Sequence, residues 1–199
     1  MIFWITLPIF LMAVVLHEVS HGWVAYHLGD STAKNAGRLT LNPLAHLDLF
    51  GTILLPLFLA MVHSPVVFGW AKPVPVNFMN LYHPKRDMIW VGLAGPLTNI
   101  TLAVLFSLLV RWVPSQALVS LLVMGILINL VLAVFNIIPI PPLDGSRVLT
   151  GLLPPKHALF LLRLEPYGFL ILLPLLWLGL LDKFLWPIVR FLAGLLGIK

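Results

Sequence analysis

An all-α polytopic membrane protein is the fold class this sequence predicts, and three observations predict it. Of 199 residues, 60% are hydrophobic and only 10% charged, whereas a soluble domain is charged at roughly one residue in four. The mean hydropathy is +1.04, so there is too little polar surface to coat a water-facing globule. The apolar residues also gather into charge-free stretches, several long enough to cross a hydrocarbon core about 30 Å thick, with prolines, glycines and basic residues between them.

The same composition excludes other classes. With no cysteine, a disulfide scaffold is ruled out, and any metal must be held by His, Asp or Glu. The net charge of +5 comes from Lys and Arg scattered between apolar runs. No basic cluster with interleaved aromatics is present, so no nucleic-acid partner is expected; the partner of these charges is the lipid bilayer with its anionic head groups.

In chain order, residues 2–28 contain one formal charge, Glu18, and form a first span about 40 Å long. They lack the positive leader and small-residue cleavage site of a signal peptide. Residues 49–63 are too short for a full span and contain Gly51 and Pro56, which suits a re-entrant segment. Lys34 and Arg38 precede it and Lys72, Lys85 and Arg86 follow, so the positive-inside rule places both flanks in the cytoplasm. Residues 66–76, with prolines at 73 and 75, read as an edge strand or small β-hairpin. Spans follow at 88–110 and 117–138, separated by a turn at Pro114-Ser115. Arg147, Lys156 and Arg163 mark a second cytoplasmic return before a last strong helix, 157–181. Residues 184–198 suit either an interfacial helix or a tilted span. The chain from 1 to 199 reads as one membrane domain with its N-terminus outside.

Chemistry concentrates in His17-Glu18-Val19-Ser20-His21. On a helix, positions 17 and 21 stack one turn apart, so two imidazoles can converge on one metal with Glu18 beside them. Given this composition, chance produces the pattern about once in 400 such sequences. The bland alternative, polar side chains that bond helices together, is disfavoured by the cost of an ionisable Glu between histidines at membrane depth.

A catalytic zinc needs a third protein ligand and one open position. Glu165 sits beside Arg163 and Pro166 and is expected to pair at the interface, while Asp30, Asp48, Asp87 and Asp182 stand at segment boundaries, as solvated carboxylates do. Asp144 differs, following the apolar, proline-rich run Phe135–Leu143 and preceding Gly145. Read alone, Asp-Gly is a turn. Topology offers a check. His17 lies about 16 Å from the inner end of its helix, near mid-membrane. If 49–63 returns to its own side, 117–138 runs inward and Asp144 lies at the cytoplasmic end, able to dip back towards the histidines. If that segment crossed, Asp144 would emerge on the opposite face.

These residues resemble the site-2 protease family of intramembrane zinc metalloproteases. The resemblance rests on His17-Glu18-x-x-His21 in an early helix and on Asn136-x-x-Pro139-x-Pro141-Pro142-Leu143-Asp144-Gly145, similar to the family's N-x-x-P-x-P-P-L-D-G signature. Gly37-Arg38-Leu39-Thr40-Leu41-Asn42-Pro43, with His46 and Asp48, resembles the loop after the metal helix in bacterial members, and Ala94-Gly95-Pro96-Leu97-Thr98-Asn99 resembles the middle core helix. The resemblance implies a three-helix catalytic core plus C-terminal helices. It implies one Zn2+ per chain held by His17, His21 and Asp144, Glu18 as general base, and Asn136 steadying the substrate or the oxyanion. Such a site activates water: Glu18 takes its proton and returns it to the departing amine. No PDZ-like or CBS-like segment is found, as in a minimal, core-only member.

The implied activity is endopeptidase cleavage of transmembrane substrates in regulated intramembrane proteolysis, in the cytoplasmic membrane, with the site open to the cytoplasm. Single-span proteins such as anti-sigma factors are the implied substrates, and no regulatory partner can be named. A helical substrate must unwind before attack, and residues 66–76 could hold it as an added strand. Asn42, His46 and Asp48 either line a polar opening or, for the last two, cap a helix at Leu49. His27, His63, His83 and His157 are expected to form interfacial hydrogen bonds. Gly92, Gly95 and Asn99 permit close helix packing, with contact to the site an alternative for Asn99. Two rival functions remain: a divalent-metal transporter, which should show a polar path or a repeated half, and an inactive helix-binding homologue, which should have lost Glu18 or a ligand.

Overall fold

The computed structural model describes residues 2–62 and 71–198. Among them are nine α-helices and no strand. α1 (Ile2–His27) ends where Gly29 adopts φ +110°, a left-handed conformation that glycine tolerates, and Asp30 N–H closes back on Ala25 O at 2.9 Å. The single turn α2 (Thr32–Asn35) opens a loop in which Asn42 caps the 3-10 turn Pro43–His46. Asp48 Oδ1 accepts from Gly51 N–H at 2.6 Å and starts the π-helical turns Leu49–Leu54, which run into α3 (Leu55–Met61). Of the two roles open to Asp48, it takes the cap.

Residues 66–70 of the expected edge strand or hairpin lie outside the described residues, as does His63. Residues 71–77 form a strap with no strand pairing among the described residues. Pro73 and Pro75 remove every second N–H from it, so it cannot offer a regular ladder edge.

α4 (Pro84–Val110) starts four residues before the expected 88. Pro84 occupies its first position, where the missing N–H costs nothing, and Asp87 accepts from His83 N–H at 2.8 Å. Asp87 is therefore buried and bonded instead of solvated. α5 (Gln116–Asn136) stops two residues short of 138, because Pro139 disfavours helical conformation in the residue before it. A short amphipathic helix, α6 (Asp144–Leu152), was not expected.

The anticipated helix 157–181 is two: α7 (Pro155–Leu164) and α8 (Gly168–Trp177), joined by a 3-10 turn at Glu165–Tyr167 that carries Pro166. α9 (Asp182–Leu195) sets Leu185, Val189 and Ala193 against Ala103 of α4 and Ile126, Leu130 and Val134 of α5. At 1.5 Å per residue it is about 21 Å long, shorter than the hydrocarbon core. Among the described residues, four helical runs are long and apolar enough to cross a membrane: Thr6–His27, Pro84–Val110, Gln116–Asn136 and Pro155–Trp177. The chain is thus a multi-pass membrane protein in which α4 packs against α1, α5 and α6.

Candidate metal centre

α1 presents His17 and His21 on one face, both almost wholly buried. His21 Nδ1 donates to Val91 O at 2.6 Å. His17 Nδ1 meets Asn99 Oδ1 at 2.5 Å, and Asn99 turns its Nδ2 to Asn129 Oδ1 at 2.8 Å and to Ala13 O at 3.5 Å. Carbonyl oxygens only accept, so this network assigns the hydrogen of each imidazole to Nδ1 and leaves each Nε2 a bare lone pair. Those two Nε2 atoms lie 3.1 Å apart, and Asp144 Oδ2 lies 3.0 Å from one and 3.1 Å from the other.

The folding of this triangle can be traced to glycines. A Cβ on Gly95 would stand 2.5 Å from His17 Nε2, so only glycine lets α4 pass behind the rings. One turn earlier, a Cβ on Gly92 would lie 3.1 Å from Asp144 O. Asp144 itself arrives because the proline run ends α5 and turns the chain back on that helix's end, so closely that a Cβ on Gly145 would collide with the Ile137 carbonyl. Its second oxygen, Oδ1, faces Arg147 Nη1 at 3.6 Å, and Arg147 reaches Glu165 at 3.8 Å. Glu165 therefore pairs across to α6.

Three acceptors meeting without a hydrogen between them repel one another unless a cation or proton lies among them. His17, His21 and Asp144 are the one such group of His, Asp and Glu among the described residues. Their spacing of 3.0–3.1 Å is close to the edge of about 3.3 Å of a tetrahedral zinc site with bonds of about 2.0 Å. A two-nitrogen, one-carboxylate donor set suits zinc, and the Nδ1 hydrogen bonds are the outer-shell supports such ligands require. The residues present fit a zinc ion.

Glu18 stands beside the triangle, half-buried, and its Oε2 accepts from Val74 N–H at 2.9 Å. Asn136 turns its Nδ2 back to Leu132 O at 3.0 Å on its own helix. Asn99 is the amide that meets a histidine, the alternative left open for it. Asn129 was missed altogether. The available signal was the same for both: an uncharged amide in the middle of an otherwise apolar span.

Asp30 corrects a further expectation. It is fully buried, and it receives Thr32 N–H at 3.1 Å, Thr32 Oγ1, Asn80 Nδ2 at 3.0 Å and Asn77 N–H at 2.7 Å. Burial alone would raise its pKa, but these four donors outweigh burial and hold the carboxyl below the usual carboxylate range. His46, also buried, donates Nε2–H to Thr40 O at 2.8 Å and ties its loop.

Comparison with known proteins identifies the family. The family model for Peptidase family M50 matches residues 111–162, which contain α5, the proline run and Asp144. YwhC of Bacillus subtilis is 40% identical over 190 residues, covering 90% of this chain and 83% of its own. Rip2 of Mycolicibacterium smegmatis is 31% identical over 95% of this chain and 73% of its own. MJ0611 of Methanocaldococcus jannaschii is 50% identical over a shorter stretch, 42% of this chain and 46% of its own. All three are named, provisionally, as zinc metalloproteases. No solved structure gives a significant match. With relatives this similar over nearly the whole chain, the protein belongs to peptidase family M50, the site-2 protease family, and is a membrane metalloendopeptidase.

Proposed function

We propose that this chain is an intramembrane zinc endopeptidase that hydrolyses peptide bonds of transmembrane substrates in regulated intramembrane proteolysis. One observation carries the reading: three buried acceptors, His17 Nε2, His21 Nε2 and Asp144 Oδ2, converge between apolar helices next to a carboxylate. These three residues are the proposed ligands of one zinc per chain, and Glu18 is the proposed base. When bound, zinc supplies Lewis acidity, making a water proton labile near neutral pH and polarising a peptide carbonyl.

Glu18 has Oε2 held by Val74 N–H, and Oε1, which meets no donor among the described residues, takes the water's proton. It then hands that proton to the leaving amine nitrogen. The Nδ1 bonds to Asn99 and Val91 orient both rings so that each Nε2 points inward. Asn136 steadies the substrate or the oxyanion once a peptide is bound.

In this reading α1, α4 and α5 form the catalytic core, with the C-terminal helices attached to it and the whole chain as one domain. Residues 49–63 are re-entrant, the protein lies in the cytoplasmic membrane, and the site opens to the cytoplasm. The approach of Asp144 to the histidines supports that parity. Substrates are single-span proteins, anti-sigma factors among them. The test is cleavage of a single-span substrate by purified protein in liposomes. Cleavage should stop in Glu18→Gln while zinc stays bound, and equal cleavage by Glu18→Gln and wild type would dispose of the reading.

A further inference from the structure

The Gly37–Asp48 loop is the resemblance-bearing motif that the proposed chemistry leaves unused, and it grips the strap 71–77. Arg38 is buried, with no acidic partner among the described residues. It sends Nη2 to Lys72 O at 2.8 Å and, more weakly, to Pro73 O at 3.4 Å. Lys72 N–H donates to His46 O at 2.9 Å. Beyond these, Val74 N–H donates to Glu18, and Asn77 N–H to Asp30. Every anchor grips main chain, so the strap is fixed as a backbone.

Its sequence makes it stiff. Pro73 and Pro75 have fixed φ, and Lys72 and Val74, each preceding a proline, are restricted to extended conformations. The two prolines also leave Val74 as the sole main-chain donor of the Pro73–Pro75 stretch. That donor shares one peptide plane with Pro73 O. A trans peptide points its C=O and N–H in opposite directions, so Arg38 lies at the oxygen end of this unit and Glu18 at the nitrogen end. A guanidinium at the oxygen end polarises the amide and strengthens its N–H as a donor. The Val74 side chain locks the arrangement: it is buried, its Cγ1 2.7 Å from where a Cβ on Gly22 would stand.

We propose that Arg38 is a positioning residue for proteolysis, aiming Glu18 through the Pro73–Val74 peptide. This rests on the proposed role of Glu18 as base. Arg38 fixes the strap, the strap's lone N–H holds Oε2, and Oε1 is thereby left facing the reaction. An unheld carboxylate would sample rotamers turned away from the water, and displacements of this kind in a reacting group cost catalysis far more than binding.

The test uses the full chain in liposomes, a single-span substrate, and zinc determined on the same samples. Val74→Pro deletes the N–H, Val74→Ala keeps it, Arg38→Met removes the grip and Arg38→Lys retains one donor. Val74→Pro and Arg38→Met should each lower kcat about tenfold or more, with KM within about twofold and zinc retained. Val74→Ala keeps the N–H while loosening the packing and should lower kcat less than Val74→Pro, and Arg38→Lys should recover part of the loss of Arg38→Met. The inference is overturned if both deleting variants keep wild-type kcat, if either raises it, as freeing an occluded site would, or if activity falls only in proportion to zinc. Glu18→Gln run alongside separates the two levels: if it is dead while Val74→Pro and Arg38→Met are fully active, only the positioning role fails, whereas an active Glu18→Gln removes the base itself.

Discussion

The bundle of α1, α4 and α5 and the C-terminal arm of α7 and α8 are all apolar enough to cross a membrane, yet they pack differently. Along α4 and α5, 33% of the most apolar stretch is buried inside the protein, whereas along Pro155–Trp177 the figure is 11%. Many buried residues of the bundle are small or polar, among them Gly95, Asn99, Ala103 and Asn129, beside larger apolar ones such as Ile126 and Leu130. The arm instead shows Leu159, Phe160, Leu170 and Trp177 to its surroundings. In lipid, apolar surface alone gives helices no reason to associate. Close approach needs small residues, and specificity needs hydrogen bonds that would otherwise go unmade. The bundle has both and brings the acceptor atoms of His17, His21 and Asp144 together, while the arm leaves most of its apolar surface facing outward.

Glycines give the sharpest way to break this contrast. Gly95→Ala drives a methyl into both imidazoles and should abolish zinc retention and reduce cleavage by about 100-fold or more, read by metal analysis and substrate processing. Next in size is Asn99→Ala, which leaves His17 Nδ1–H without its acceptor. Zinc affinity, measured by chelator competition, should fall about 10- to 100-fold with the helices still folded.

Asp30 tests the end of the same bundle at which α1 finishes. Its carboxylate is favoured by the fold, so its stabilisation is complete above the ordinary carboxylate range, about pH 4, and is lost as pH falls through its lowered value. Asp30→Ala should therefore lower the melting temperature in detergent by several degrees at pH 7, with the gap to wild type closing below about pH 4. The smallest effect belongs to the C-terminal region. Gly194→Ala on α9 meets nothing within 4 Å, and it should leave cleavage unchanged and stability within about 0.5 kcal/mol.

The same division governs what could be read from sequence. His17, Glu18 and His21 were legible because helical spacing converts an i, i+4 pair directly into geometry. Asp144 was legible because it stood apart from every carboxylate that had a boundary to cap. Asn129 was not: polar residues in an apolar helix show depth but not direction, since an all-apolar surround gives no periodicity to orient them. Asp30 and Asp87 were misread as solvated because capping partners such as Asn77 N–H and His83 N–H come from loops whose path periodicity does not fix. The break between α7 and α8 was visible in Pro166 and Gly168, but hydropathy ran through it undisturbed.

The central claim is that two histidines of α1 and one aspartate at the start of α6 hold a single zinc. Elemental analysis of the purified chain tests it most directly. Wild type and Glu18→Gln should each carry one zinc per chain, and Asp144→Ala should carry less than about a tenth of that. Full zinc in Asp144→Ala, or none in wild type, would contradict the account.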